Sequence, residues 1–399
     1  MRKILQVSIA GWIAFCVACD NPTESKYSPY EQHPIAWPSL AKSPWPIYHG
    51  SPLVNGLSFD SGPTKGQIVW TYQPECPPQG TGLVLDSVGN IYTGLANGNL
   101  ISIKPDGQLN WEIKLMEGSY PEGVCCPMVL KTGKLAVAEK DTFYVINSSG
   151  SIERKIGIPE EIQSGSFQID KTGNFYLILS DGTLLSLAQD LTVRWQIIAP
   201  DDVFGGWGSG HVIAFFPDGN NLLVPSGRKI YKISVSGIII WQAEYQMITP
   251  PLVDCNGNVY FYSVSDTAII ALNRDGNLIW KMNIPNENIQ CYSRSTISRD
   301  GWIVFAASNL LWISPDGKNK ISIKYLPLDH FYMNSELVCE RSGIVYSSVA
   351  RYGFYASSID NPMIWKMEDD VWPCVAPAIG NGRLYFSSWY LGGKIYAME

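Results

Sequence analysis

The sequence predicts an all-β chain folded as an eight-bladed β-propeller of four-stranded blades, and three observations carry that expectation. A tryptophan recurs about every 40 residues: Trp70, Trp111, Trp195, Trp241, Trp280 and Trp365, each four residues after a turn residue (Gly66, Gly107, Leu191, Gly237, Gly276 and Asn361). Two further copies keep the spacing but lose the ring, Gly150 to Arg154 and Gly317 to Ile321. A second turn glycine precedes seven of the fourth-strand ends by about 20 to 23 residues, at Gly89, Gly133, Gly173, Gly219, Gly257, Gly301 and Gly343, with Gly382 as the eighth. Finally, β-branched and aromatic residues dominate, Gly and Pro punctuate at short intervals, and past the N-terminal segment no sustained helical period appears.

One repeat shows the elements in order. Pro251-Leu252-Val253-Asp254 is an inner strand, Cys255-Asn256-Gly257 a tight turn, and Asn258 to Tyr262 a second strand. Ala268 to Asn273 is the third strand, Arg274-Asp275-Gly276 turns, and Asn277 to Trp280 is the fourth. Asn-Gly and Asp-Gly supply the left-handed positions such turns require. Each Trp is expected to pack between neighbouring blades, so Arg154 and Ile321 mark expected weaker seams.

The two ends of the chain explain each other. The last copy, from Cys374 to Glu399, holds three strands, while Gly66 to Trp70 precedes the first full copy without a blade of its own. Pairing the two closes the ring and removes an open sheet edge.

The N-terminus reads as an address. Arg2 and Lys3 precede an apolar run, Ile4 to Ala18, too short to span a bilayer comfortably, so residues 1–18 are expected to be a signal peptide. Its end, Cys16-Val17-Ala18-Cys19, resembles a bacterial lipobox, making Cys19 the expected lipidation site; an ordinary secretory signal is the alternative. Residues 19–44, polar and proline-bearing, are then a lipid-linked tether, with the propeller over 45–399.

Ala271-Leu272-Asn273-Arg274-Asp275-Gly276-Asn277-Leu278-Ile279-Trp280 resembles the repeat of the PQQ-like (quinoprotein-type) eight-bladed propellers, with a close second copy at Ser102 to Trp111. Trp45-Pro46-Ile47-Tyr48-His49-Gly50 is similar to the lead-in before the first blade of that group. The resemblance implies one of two functions. Some members are dehydrogenases that bind pyrroloquinoline quinone and calcium in the central funnel; others are cofactor-free assembly propellers, including the lipoprotein of the outer-membrane β-barrel assembly machinery. For the enzyme speaks the adjacent pair Cys125-Cys126, which the resemblance would join as a vicinal disulfide. A structural disulfide among Cys76, Cys125, Cys126 and Cys374 competes with it. Against the enzyme, no segment supplies a clear calcium-ligand cluster and no haem-binding Cys-x-x-Cys-His is present.

Other chemistry is thin. The four histidines show no zinc spacing, and Gly205 to Gly210 lacks the Lys-Ser or Lys-Thr of a phosphate loop. The formal charge of −7 speaks against nucleic acid as a partner. Acidic residues gather in the connections between blades, among them Asp201, Asp202, Asp369 and Asp370, interleaved with Trp207, Tyr292, Tyr332 and Trp372. The expectation is therefore a membrane-tethered, non-catalytic scaffold without cofactor or metal, whose linker face receives an envelope protein or peptide, aromatics anchoring and carboxylates steering. A glycan could use the same aromatics.

Overall fold

Among the described residues, 32 strands form eight four-stranded antiparallel sheets arranged as the blades of a propeller. The computed structural model describes residues 28–78, 82–116, 124–163, 167–199, 212–247, 249–285, 289, 295–307, 309–324, 336–349, 353–367, 376–388 and 393–399. Blades 1 to 7 span 84–114, 128–157, 168–198, 214–244, 252–283, 296–323 and 338–367. Blade 8 combines 378–398 with Ile68–Tyr72, whose Trp70, Thr71 and Tyr72 pair with Ala397, Tyr396 and Ile395. The expected closure is thus the observed one. All eight first-turn glycines have positive φ, between 73° and 96°, as the hairpin reading requires.

The tryptophans sit at the blade seams, with a pairing that the motif conceals. Each indole Nε1 donates to a carbonyl in the third turn of the next blade, at 2.9–3.3 Å: Trp70 to Pro105, Trp111 to Ser148, Trp195 to Val235, Trp241 to Arg274, Trp280 to Pro315 and Trp365 to Pro63. Each ring covers the glycine of that same turn. A Cβ added at Gly107, Gly150, Gly237, Gly276, Gly317 or Gly66 would fall 2.4–3.0 Å from the facing indole. The Gly and Trp that stand four apart in sequence therefore serve different seams.

This accounts for the irregular copies. Gly150 is followed by Arg154 because Gly150 faces Trp111, whereas Arg154 faces blade 3, where the turn residue is Leu191, buried with φ 73°. Arg154 Nη1 donates to Gln189 O at 2.8 Å, at the position the indoles use elsewhere, so this seam keeps its hydrogen bond and loses only the ring. Blades 8, 1, 3, 4 and 5 carry a register shift just before the tryptophan, and blade 2 carries one before Arg154. Such a bulge re-aims the following side chain. Blade 6, which ends in Ile321, has none, and neither does blade 7, which keeps Trp365.

The stretch expected as a tether makes defined contacts with the blades over its second half. From Pro29 onward it lies on the face formed by the first and third turns of the blades. Asn256 Nδ2 donates to Pro29 O, Arg299 pairs with Glu31 at 2.8 Å, and Gln32 is buried with its Oε1 accepting from Cys255 N. Trp37 Nε1 donates to Ile169 O at 2.9 Å, and Ala41 N to Val129 O. The polar, proline-rich composition that reads as a tether here serves a segment that bonds through its own backbone.

Candidate functional site: the filled channel and its linker-face floor

A propeller's channel is lined by its inner strands, whose inward N–H groups need partners. Here the chain supplies them itself. Residues 45–56 curl inside the ring: Leu85 N donates to Trp45 O, Val129 N to Pro46 O, Phe215 N to Pro52 O, Val253 N to Leu53 O, Ile297 N to Asn55 O and Cys339 N to Gly56 O, all within 2.7–3.2 Å. These donors occupy the same register position of blades 1, 2, 4, 5, 6 and 7. The curl needs left-handed backbone at His49, Gly50, Val54 and Gly56. Trp45, Ile47, Tyr48, His49, Leu53 and Val54 are all buried.

Three residues before those donors, the inner strands begin on the opposite side, where the blade-to-blade linkers enter. In this upper ring stand Gly82, Cys126, Glu336 and Ala376, and Gly82 bridges Ala376 in parallel across the blade 1–8 seam. A Cβ on Gly82 would lie 3.1 Å from Ala376 Cβ, 3.2 Å from Cys126 Sγ and 3.3 Å from Tyr48 Cδ2. The floor is therefore tightly packed at this point. Glu336 is its carboxylate: Tyr48 OH donates to Oε1, and His49 Nε2 lies 3.5 Å from Oε2. The Tyr48 and His49 rings are 5.4 Å apart.

Cys126 is a poor nucleophile in this setting. Burial first, then the charges of Glu336 and Cys125, push its thiol well above the ordinary range. An activated cysteine needs the opposite, a neighbouring cation or a helix N-terminus. No disulfide joins Cys76, Cys125 and Cys126 to one another, and Cys374 lies outside the described residues. Calcium takes six to eight oxygen ligands. No group of three His, Cys, Asp or Glu residues able to hold a metal ion is found among the described residues. The described part of the floor supplies one carboxylate, Glu336, against the six to eight oxygens that calcium takes.

The residues expected to bind a partner, Asp201, Asp202, Trp207, Tyr292, Tyr332, Asp369, Asp370 and Trp372, all lie outside the described residues, as does Cys19. Tyr48, His49 and Glu336 were missed. Glu336 could have been found by aligning inner strands: at the corresponding position blades 1, 2, 3, 4, 5, 6 and 8 hold Gly82, Cys126, Ser166, Val212, Pro250, Arg294 and Ala376, and a carboxylate stands out in that set.

An eight-bladed propeller with a self-filled channel and a polar floor on the linker face is the class these features define. Solved structures share the architecture. The quinohemoprotein alcohol dehydrogenase of Comamonas testosteroni is similar at a TM-score of 0.66 and 11% identity, over 89% of this chain and 80% of that one. BamB from Moraxella catarrhalis is similar at a TM-score of 0.64 and 10% identity, over 84% of this chain and 99% of that one. The quinohemoprotein alcohol dehydrogenase ADHIIG of Pseudomonas putida HK5 gives 0.64 and 10%, over 90% and 80%. At such identities the likeness shows the fold alone. No family model and no curated protein sequence matches the chain.

Proposed function

We propose that this chain is an exported, lipid-anchored propeller of the bacterial cell envelope that serves as a protein-binding or assembly scaffold and performs no catalysis. The observation that carries the proposal is the filled channel. Backbone of residues 45–56 occupies the inner-strand donors of six blades, so the axis is a solid hub. Its linker-face floor presents one carboxylate already engaged by Tyr48 and His49, beside a thiol that resists ionisation. A rigid disc of this kind offers its rims and linkers, rather than its axial channel, to other molecules. The acidic and aromatic linker residues named above are the proposed contact surface for a basic or apolar polypeptide segment of another envelope protein. The basic n-region, apolar run and Cys19 support export and acylation; several acyl chains at about 0.8 kcal/mol per buried methylene hold a protein on a membrane durably.

The test is cross-linked capture from native envelopes, with mass spectrometry of the mature N-terminus. A diacylglyceryl cysteine at position 19 and a partner whose capture weakens with salt, and on neutralising Asp201, Asp202, Asp369 and Asp370, support the proposal. Salt-independent capture unchanged by those substitutions refutes the contact surface. Dye reduction with alcohols or sugars after adding the quinone and calcium would refute the absence of catalysis.

A further inference from the structure

We propose that the seam between blades 2 and 3 is a binding site for a phosphate ester, opened by the replacement of an indole with a guanidinium. Six seams are closed by a Trp lying on a turn glycine. At this one the facing pair is Arg154 and Leu191. A cleft of about 360 Å³ lies here, on the face across which residues 29–43 run. It is the size of the smaller organic-ligand sites, which start at about 300 Å³.

The lining is chemically one-sided. Lys131, Lys134, Arg154 and Lys171 all contribute to it, and no Asp or Glu does, in a chain whose net charge is −7. The acids nearby make bonds of their own, and Glu153 offsets one of the four cations. Glu153 pairs with Lys134, Asp170 holds its own turn through Thr172, Asn174 and Tyr176, and Asp190 accepts from Thr192. The Lys131 ammonium makes no ion pair or hydrogen bond among the described residues. Arg154 uses one guanidinium nitrogen on Gln189 O, leaving further donors of its fork. Lys171 is held in place, its Nζ donating to Pro217 O at 2.8 Å and standing 5.1 Å from the Trp37 ring centroid.

Two features narrow the ligand. Several cations within one Debye length favour a multiply charged anion over a single carboxylate, and the arginine fork matches phosphate oxygens. Buried Val145, Ile169 and Phe175 form the apolar part of the wall, and Pro38 and Ser39 of the N-terminal segment close one side, with Ser39 Oγ bonded to Asp170 O. Such a wall takes an organic stem rather than a bare ion. The shared chemistry is a phosphate group on a small polyol. It could come from a soluble phosphate ester or from the headgroup of an anionic phospholipid.

The test uses the chain from Asp20 to Glu399 without acyl chains, so that only the cleft can carry it to vesicles. Titration calorimetry with glycerol phosphate and with inorganic phosphate is run beside co-sedimentation with vesicles of phosphatidylcholine alone or with phosphatidylglycerol. Glycerol phosphate binding that weakens with salt is expected, tighter than inorganic phosphate. Vesicle binding that needs phosphatidylglycerol and is competed by glycerol phosphate assigns the headgroup as source; its absence assigns the soluble ester. The double variant Lys131→Gln/Arg154→Gln should weaken binding about tenfold or more. A second variant, Arg154→Trp with Leu191→Gly, rebuilds the ordinary seam. It should fold at least as stably as wild type while losing the ligand. Absence of glycerol phosphate binding, or equal binding by wild type and the rebuilt seam, overturns the proposal.

Discussion

The seam geometry can be tested as a coupling energy between Gly317 and Trp280. A methyl group at Gly317 would sit 2.4 Å from Trp280 Cδ2 and 2.5 Å from Cγ, far inside contact distance, at a backbone φ of 69°. Gly317→Ala therefore carries two costs: about 1–2 kcal/mol for the left-handed backbone and about 1–3 kcal/mol for overpacking against the indole. Trp280→Ala by itself removes the 2.9 Å hydrogen bond to Pro315 O and the ring contact with Tyr260 at 5.9 Å, a loss of about 2–3 kcal/mol for a half-buried side chain. In the Trp280→Ala background the overpacking disappears and only the backbone cost of Gly317→Ala stays. The double-mutant cycle should accordingly show a coupling of about 1–3 kcal/mol, read from urea unfolding followed by far-ultraviolet circular dichroism. Gly133 provides the control, since its φ is 78° and a Cβ there meets nothing within 4 Å. Gly133→Ala should cost about 1–2 kcal/mol in either background. If Gly317→Ala costs the same in both backgrounds, the indole does not determine that glycine and the seam account fails.

Three further outcomes follow from buried groups. Glu139 is buried with neither carboxylate oxygen hydrogen-bonded, and burial, only partly offset by Lys140, raises its pKa to about 7. The folded value exceeds the unfolded one, so the stability associated with the protonated acid is full below about 4.5 and is lost as pH rises toward 7. Glu139→Gln should therefore raise stability at pH 8 by about 2–3 kcal/mol, leave it little changed at pH 4.5, and flatten the unfolding profile between. Cys126 and Cys339 are buried and their thiols are pushed well above the ordinary range, whereas Cys76 is partly exposed; iodoacetamide at pH 8 should label Cys76 before Cys126 and Cys339 in the folded protein, by peptide mass spectrometry. Trp45 is fully buried, so Trp45→Ala should cost about 3–5 kcal/mol and speed hydrogen exchange at the amides of Leu85 and Val129, which bond to Trp45 O and its neighbour.

The architecture was legible because the blade is short and its turns are chemically demanding. Gly89, Gly133 and their counterparts must take positive φ, so only a narrow set of residues serves there and the spacing survives in the sequence. The closure of blade 8 was legible by subtraction, as three strands at one end and a surplus strand at the other. The seam pairing was not, because Gly276 and Trp280 stand four apart yet touch different neighbours, Trp241 and Pro315. Once the pairing is known, the exceptions become regular: Arg154 meets Leu191, where a glycine has no indole to accommodate. The channel segment left no period to find, since consecutive residues such as Pro52 and Leu53 bond to different blades. Its prolines suit a segment that accepts hydrogen bonds through carbonyls and needs few donors of its own, which in sequence looks the same as a solvated linker.

That same segment ties folding to closure. Residues 45–56 fill the ring and Ile68–Tyr72 completes blade 8, so the hub and the closing strand form one continuous strap from the axis to the rim. The strap is needed twice, as partner for the inner-strand amides of six blades and as fourth strand of the last one. Removing Trp45 to Trp70 should thus abolish cooperative unfolding rather than trim an edge. Supplying a peptide of residues 28–72 in trans should restore cooperativity, because it brings back the carbonyl partners of six inner strands and the fourth strand of blade 8. A truncated chain that still melts in one transition at the wild-type temperature would show that the ring closes without its strap.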